Sequence, residues 1–88
     1  MTVYERLNNL VEEKEKQNLT DEDKELLDTA KYMIEDKKTF FLVDMDTVLG
    51  MLYFLGVPKD KLELYYMELI SPENYKDSFP QERIGISI

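Results

Sequence analysis

Residues 46–56, "DTVLGMLYFLG", constrain this chain more than any other stretch. Val48, Leu49, Met51, Leu52, Tyr53, Phe54 and Leu55 leave a helix here apolar on nearly every face, and a helix apolar all round belongs in the interior. Asp44 or Asp46 opens it. Gly56 closes it, at the position where a residue of positive φ is usually wanted, and Val57-Pro58 makes the turn that follows. With 88 residues the chain has room for one core. The rest of it must therefore supply amphipathic elements that cover this central helix.

Those elements carry their own start and stop signals. Thr2 and Glu5 have the spacing of a capping box, and Val3, Leu7, Leu10 and Val11 follow at three- and four-residue intervals on one face. The helix continues into "EEKEKQ", where Glu12 and Lys16 pair at i,i+4, and Asn18 is its expected stop. Thr20 caps a second helix, "DEDKELLDTAKYMIEDKK". Its acidic Asp21, Glu22 and Asp23 sit at the positive end of the helix dipole, with Lys37 and Lys38 at the negative end. Leu26, Leu27, Ala30, Met33 and Ile34 form its buried stripe. Joined by a short turn, the two make an antiparallel hairpin over residues 1–38.

Thr39 to Val43 is a β-branched and aromatic run, expected as a short strand. After the central helix, "KDKLELYYMELI" predicts a fourth helix that buries Leu62, Tyr65, Tyr66, Leu69 and Ile70. Ser71-Pro72 reads as a cap with proline at the first helical position, so a short helical turn is expected over 72–78. In "RIGISI", Ile84, Ile86 and Ile88 alternate as in a strand. The expectation is one mainly α (α+β) domain over 1–88: four helices with a minor two-stranded sheet. Residues 1–38 form the hairpin, and 39–88 form a strand, a helix-turn-helix-like pair and a C-terminal strand.

Composition narrows the chemistry. There is no Cys and no His, which removes thiolate sites, the commonest metal ligand and the side chain that titrates most readily near neutral pH. No catalytic residue, cofactor or metal site is expected. Lys and Arg number 11 against 19 Asp and Glu, for a net charge of −8. The acidity is spread along the chain, with 7 against 11 in residues 1–38 and 4 against 8 in residues 39–88. Such a surface repels phosphate backbones and anionic headgroups, and favours basic protein partners. No apolar run approaches the roughly 18 residues of a membrane span, and the N-terminal segment is charged from Glu5 onward. A cytoplasmic protein is expected.

Two short stretches resemble known families. "FFLVDMDTVL" resembles the first motif of the haloacid dehalogenase superfamily of phosphohydrolases. The resemblance implies Asp44 as a nucleophile that becomes phosphorylated, Asp46 as general acid/base, and a bridging Mg²⁺. It covers ten residues, Thr47 departs from the small residue usual there, and the rest of the chain has no room for the parallel strands that carry the family's other motifs. Read from the residues alone, Asp44 or Asp46 accepts backbone N–H bonds at a helix start. The overlapping "DTVLGMLYFLGVPKDKLELYY" is similar to the helix-turn-helix of phage-repressor-like DNA-binding proteins, with Gly56, Val57, Leu62 and Tyr65 in the matching places. Leu52 stands where that family has a small residue, and the would-be recognition helix sets Lys59 and Lys61 against Asp60, Glu63 and Glu68.

The functional expectation is a non-enzymatic, acidic protein-binding module. It would be a small regulator or inhibitor, of the kind encoded by mobile elements, that docks on a basic surface of a partner, a nucleic-acid-binding protein among the candidates. Glu12, Glu13, Asp21, Glu22 and Asp23, with Tyr65 and Tyr66, are the candidate contacts. Neither nucleic acid nor membrane is expected as a direct partner, and the chain is expected as a monomer or homodimer. The alternative is a helix-turn-helix transcriptional regulator.

Overall fold

The computed structural model describes residues 2–78. Helix α1 spans Val3–Glu15. Its capping box is complete: Thr2 Oγ1 accepts from the Glu5 N–H at 3.1 Å, and the Thr2 N–H donates to Glu5 Oε1 at 3.2 Å. Helix α2 spans Asp21–Glu35, capped by Thr20, whose hydroxyl oxygen accepts the Asp23 N–H at 3.1 Å. Short α3 covers Thr39–Leu42, and α4 runs over Met45–Leu55. A 3₁₀ turn at Lys59–Lys61 leads into α5, Leu62–Leu69, and α6 is Pro72–Ser78. The described residues are thus mainly α.

Helix α4 meets α1, α2 and α5, as its apolar composition requires, and α1 in turn meets α2 and α5. Leu7, Phe40, Val48, Leu52, Val57 and Leu69 are the largest fully enclosed side chains. Enclosure of α4 is incomplete, however. Met45, Gly50 and Tyr53 remain exposed on it.

The expected strand at Thr39–Val43 is instead helical. Successive N–H groups of Thr39, Phe40 and Phe41 donate to the carbonyls of Asp36, Lys37 and Lys38, and Val43 donates to Thr39. A strand needs a partner for these groups, whereas a turn of helix satisfies them locally. Helical geometry also separates two side chains that a strand would put on one face: Phe40 is fully buried and Leu42 is 69% exposed. The other expected strand, 84–88, lies outside the described residues, and among those described there is no strand. Among the described residues six α-helices stand where four were expected, the additional ones being short α3 and α6, the latter at the 72–78 helical turn that the sequence indicated.

Other boundaries differ for local reasons. Helix α2 stops at Glu35, because Asp36 leaves helical backbone at φ −100°, ψ 82°, so Lys37 and Lys38 fall in the link to α3. Leu26 lies to one side of the α2 stripe and is 49% exposed. Helix α1 ends before Asn18, and among the described residues only Gly56 has positive φ. The fourth expected helix begins as a 3₁₀ turn. Leu62, Tyr65 and Tyr66 are half-buried and pack against the core, Ile70 is half-buried, and Leu69 is α5's one fully buried side chain. Among the described residues, no helix is long and apolar enough to cross a membrane.

Candidate functional site

The link over residues 16–20 brings the end of α1 and the start of α2 together, so Glu12, Glu13, Asp21, Glu22 and Asp23 share one end of the hairpin. All but the half-buried Asp23 are exposed. Glu13 pairs with Lys16 at 3.3 Å, while Glu15 reaches across to Lys31 on α2 at 3.1 Å. Among the described residues Glu12, Asp21 and Glu22 enter no ion pair. The two on α2 complement the dipole of their own helix, so they carry a structural role whatever else they do.

The tyrosines stand elsewhere. Tyr65 lies beneath the guanidinium of Arg6, 5.2 Å from its ring centroid. Tyr66 lines a recess of about 460 Å³ with Phe40, Phe41, Ile70 and Tyr75, in which the Phe41 and Tyr75 rings meet edge to face at 5.2 Å. From Arg6 to Glu13 is two turns of α1, about 10 Å along the axis. Two separate places thus hold the seven candidate residues.

The distribution of cations decides how acidic the surface is. Arg6 covers Tyr65 and pairs with Glu68. Lys14 covers Phe54 at 4.6 Å, Lys37 covers Tyr4 at 4.3 Å and Lys59 covers Tyr53 at 5.7 Å. The three lysines sit on aromatic rings rather than against carboxylates, and Arg6 does both. The described residues form three ion pairs. Among the described residues, Glu13, Glu15 and Glu68 are the carboxylates with an ion-pair partner.

At the start of α4, Asp44 occupies the cap position with extended backbone, φ −72° and ψ 159°. Its carboxylate accepts a hydrogen bond from the Thr47 hydroxyl, and no backbone N–H donates to it, unlike the expected cap. The Asp44 carbonyl instead accepts the Val48 N–H at 3.2 Å, and Asp46 is exposed in the first turn. Among the described residues no three carboxylates converge. At the other end of α4, Gly56 is left-handed at φ 108°. The N–H of Val57 donates to the Leu52 carbonyl at 3.1 Å, which closes the helix and buries Val57. Beyond this corner, the outer face of α5 carries Glu63, Leu64, Met67 and Glu68, all exposed.

One further feature is absent from the expected site. Leu26, Thr29 and Met33 of α2 and Thr47, Gly50, Met51 and Phe54 of α4 line a groove of about 250 Å³. Its sequence signal is Gly50, a glycine in mid-helix with no turn to make. Compared with known proteins, the chain matches no family model, no curated protein and no solved structure.

Proposed function

We propose that the protein is a non-enzymatic, acidic protein-binding module, a small cytoplasmic regulator or inhibitor that docks on a basic surface of a partner, such as the nucleic-acid-binding face of another protein. The observation that carries this reading is the placement of the cations. Four of them, Arg6, Lys14, Lys37 and Lys59, cover aromatic rings, and Glu12, Asp21 and Glu22 at the hairpin end are left without an ion-pair partner. Complementary charge steers association and sets specificity. The test is capture from the native host with the wild-type chain and with a variant carrying Glu12→Gln, Glu13→Gln, Asp21→Asn and Glu22→Gln, its fold verified by circular dichroism. A basic protein held by the wild type, released by salt and lost in the variant supports the reading. Identical capture by both chains overturns it.

The alternative, a DNA-binding regulator, has the α4–Gly56–α5 corner in its favour. Phosphate neutralisation supplies most of the affinity of such proteins. The exposed side of α5, with Glu63, Leu64, Met67 and Glu68, offers no cation for it. A salt-sensitive shift of random duplex at low ionic strength would promote this alternative; no shift at micromolar protein is expected.

A further inference from the structure

We propose that the groove between α2 and α4 is a docking site for an amphipathic helix of a partner protein, with large aliphatic side chains on its apolar face and Lys or Arg along its flanks. Gly50 is the first reason. It lies inside α4, its φ is not positive, and a Cβ built on it meets no atom within 4 Å. Glycine in mid-helix is less stable than alanine, and here neither backbone conformation nor internal packing requires it. What its missing side chain does is leave the groove open to an approaching chain.

Shape is the second reason. Leu26, Thr29 and Met33 recur at i, i+3 and i+7 along one face of α2, so one wall is a helical ridge, and α4 forms the other. A trough between two helices accepts a third through anchors spaced by a turn. At about 250 Å³ it falls below the roughly 300–1,000 Å³ of small-ligand cavities, and suits one or two anchoring side chains of a longer segment. Each wall also contributes a methionine, Met33 and Met51, whose flexible thioethers adapt to irregular surfaces.

Charge selects the partner. Glu22 precedes Leu26 by four residues, Glu25 precedes Thr29 by four, and Asp46 precedes Gly50 by four, so a carboxylate stands one turn along from each of these groove residues. The ammonium of Lys14 lies on the ring of Phe54, one of the groove residues. An apolar floor with acidic margins complements a basic amphipathic helix and repels an acidic one. The proposal shares with the functional reading the basic nature of the partner and the carboxylate of Glu22, and places the apolar anchor in the groove rather than at the hairpin end.

The probe is a synthetic peptide of about 18 residues, five helical turns, with Leu on one face and Lys on the other. A scrambled peptide and a version with Glu in place of Lys are the controls. Saturable changes in the amide NMR signals of Thr29, Gly50 and Phe54 are expected with the ordered basic peptide alone. Gly50→Leu, which fills the groove, is expected to weaken binding roughly ten-fold or more, a change of about 1.4 kcal/mol. Leu26→Gln, at an exposed position, should act in the same direction if Gly50→Leu fails to fold. Met67→Ala, on the outer face of α5, should leave binding unchanged. So should a hairpin variant limited to Glu12→Gln, Glu13→Gln and Asp21→Asn, which keeps Glu22 beside the groove and separates failure here from failure of the functional reading. Equal binding of the scrambled peptide, or undiminished affinity in both groove variants, overturns the proposal. A homodimer in sedimentation that Gly50→Leu dissociates would also overturn it, by making a second copy the occupant.

Discussion

The guanidinium of Arg6, on the first helix, lies 5.2 Å from the centroid of the Tyr65 ring on α5. It also pairs with Glu68, one turn further along α5. One side chain thus holds together two helices from opposite ends of the described chain. Side-chain exposures of 33% for Arg6 and 52% for Glu68 limit what the ion pair contributes. A cation over a ring adds about 0.5–1 kcal/mol at exposed sites and a solvated ion pair about 0.2–1 kcal/mol.

Arg6→Ala should therefore lower unfolding stability by roughly 0.7–2 kcal/mol in urea denaturation, the sum of those two contributions. Arg6→Lys should recover less than half of the loss, because an ammonium cannot stack a plane on Tyr65 while donating sideways to Glu68. A loss indistinguishable from zero in Arg6→Ala would mean that the seam is held by apolar packing alone.

The two glycines of α4 should respond to alanine with opposite signs. Neither has an atom within 4 Å of a built Cβ, so crowding is not involved and backbone conformation decides. Gly50 is helical, and Gly50→Ala should stabilise by about 0.5–1 kcal/mol. Gly56 is left-handed at φ 108°, and Gly56→Ala should destabilise by roughly 1–2 kcal/mol. Thermal melts of the two variants check this, and a shared sign would contradict the local account.

What could be read from the sequence was mostly local. Thr2 with Glu5, Thr20 and Gly56 marked helix ends correctly, because a cap is decided within four residues of chain. The apolar run of α4 announced its central place for a similar reason. Thr39 to Val43 misled because strand propensity reports a fit to a pleated, half-buried surface, and among the described residues no neighbouring strand supplies one. The acidity of the candidate site was visible as composition. Its separation from Tyr65 and Tyr66 was not, since that depends on where α5 crosses α1. The groove joins Leu26 to Gly50 across two helices, a relation no spacing rule contains; an unexplained glycine in an otherwise strong helix was its one available sign.

Phe40 and Leu42 separate the helical description of residues 39–42 from a strand. On a helix they point about 200° apart, and burial agrees, with Phe40 fully enclosed and Leu42 largely in solvent. Phe40→Ala should cost about 3–5 kcal/mol. Leu42→Ala should stay within about 0.5 kcal/mol of wild type. Paired denaturation curves test both, and comparable large losses would restore a strand with both side chains on one buried face.

The start of α1 should respond to acid through Glu5. Its carboxyl is held below the usual glutamate range, first by the backbone N–H of Thr2 and then by the Thr2 side chain, with a lesser contribution from the N-terminal ammonium. A carboxyl depressed in the folded state binds its proton more weakly there than in the unfolded chain. Its contribution to stability is therefore complete above the ordinary value of about 4.3. It is lost as pH falls through the lower, folded value. Because Glu5 is exposed, the effect should be confined to fraying of the first turn, without global unfolding. Carboxyl NMR titration should place the Glu5 midpoint below the usual glutamate range, and amide exchange at Glu5 and Arg6 should rise over the same acid range. In Glu5→Gln the amide oxygen can still accept the Thr2 N–H but no longer titrates, so the acid dependence of the first turn should disappear while its protection at neutral pH largely persists. A Glu5 midpoint at the ordinary value, or fraying unchanged by Glu5→Gln, would show that the capping box does not control the helix start.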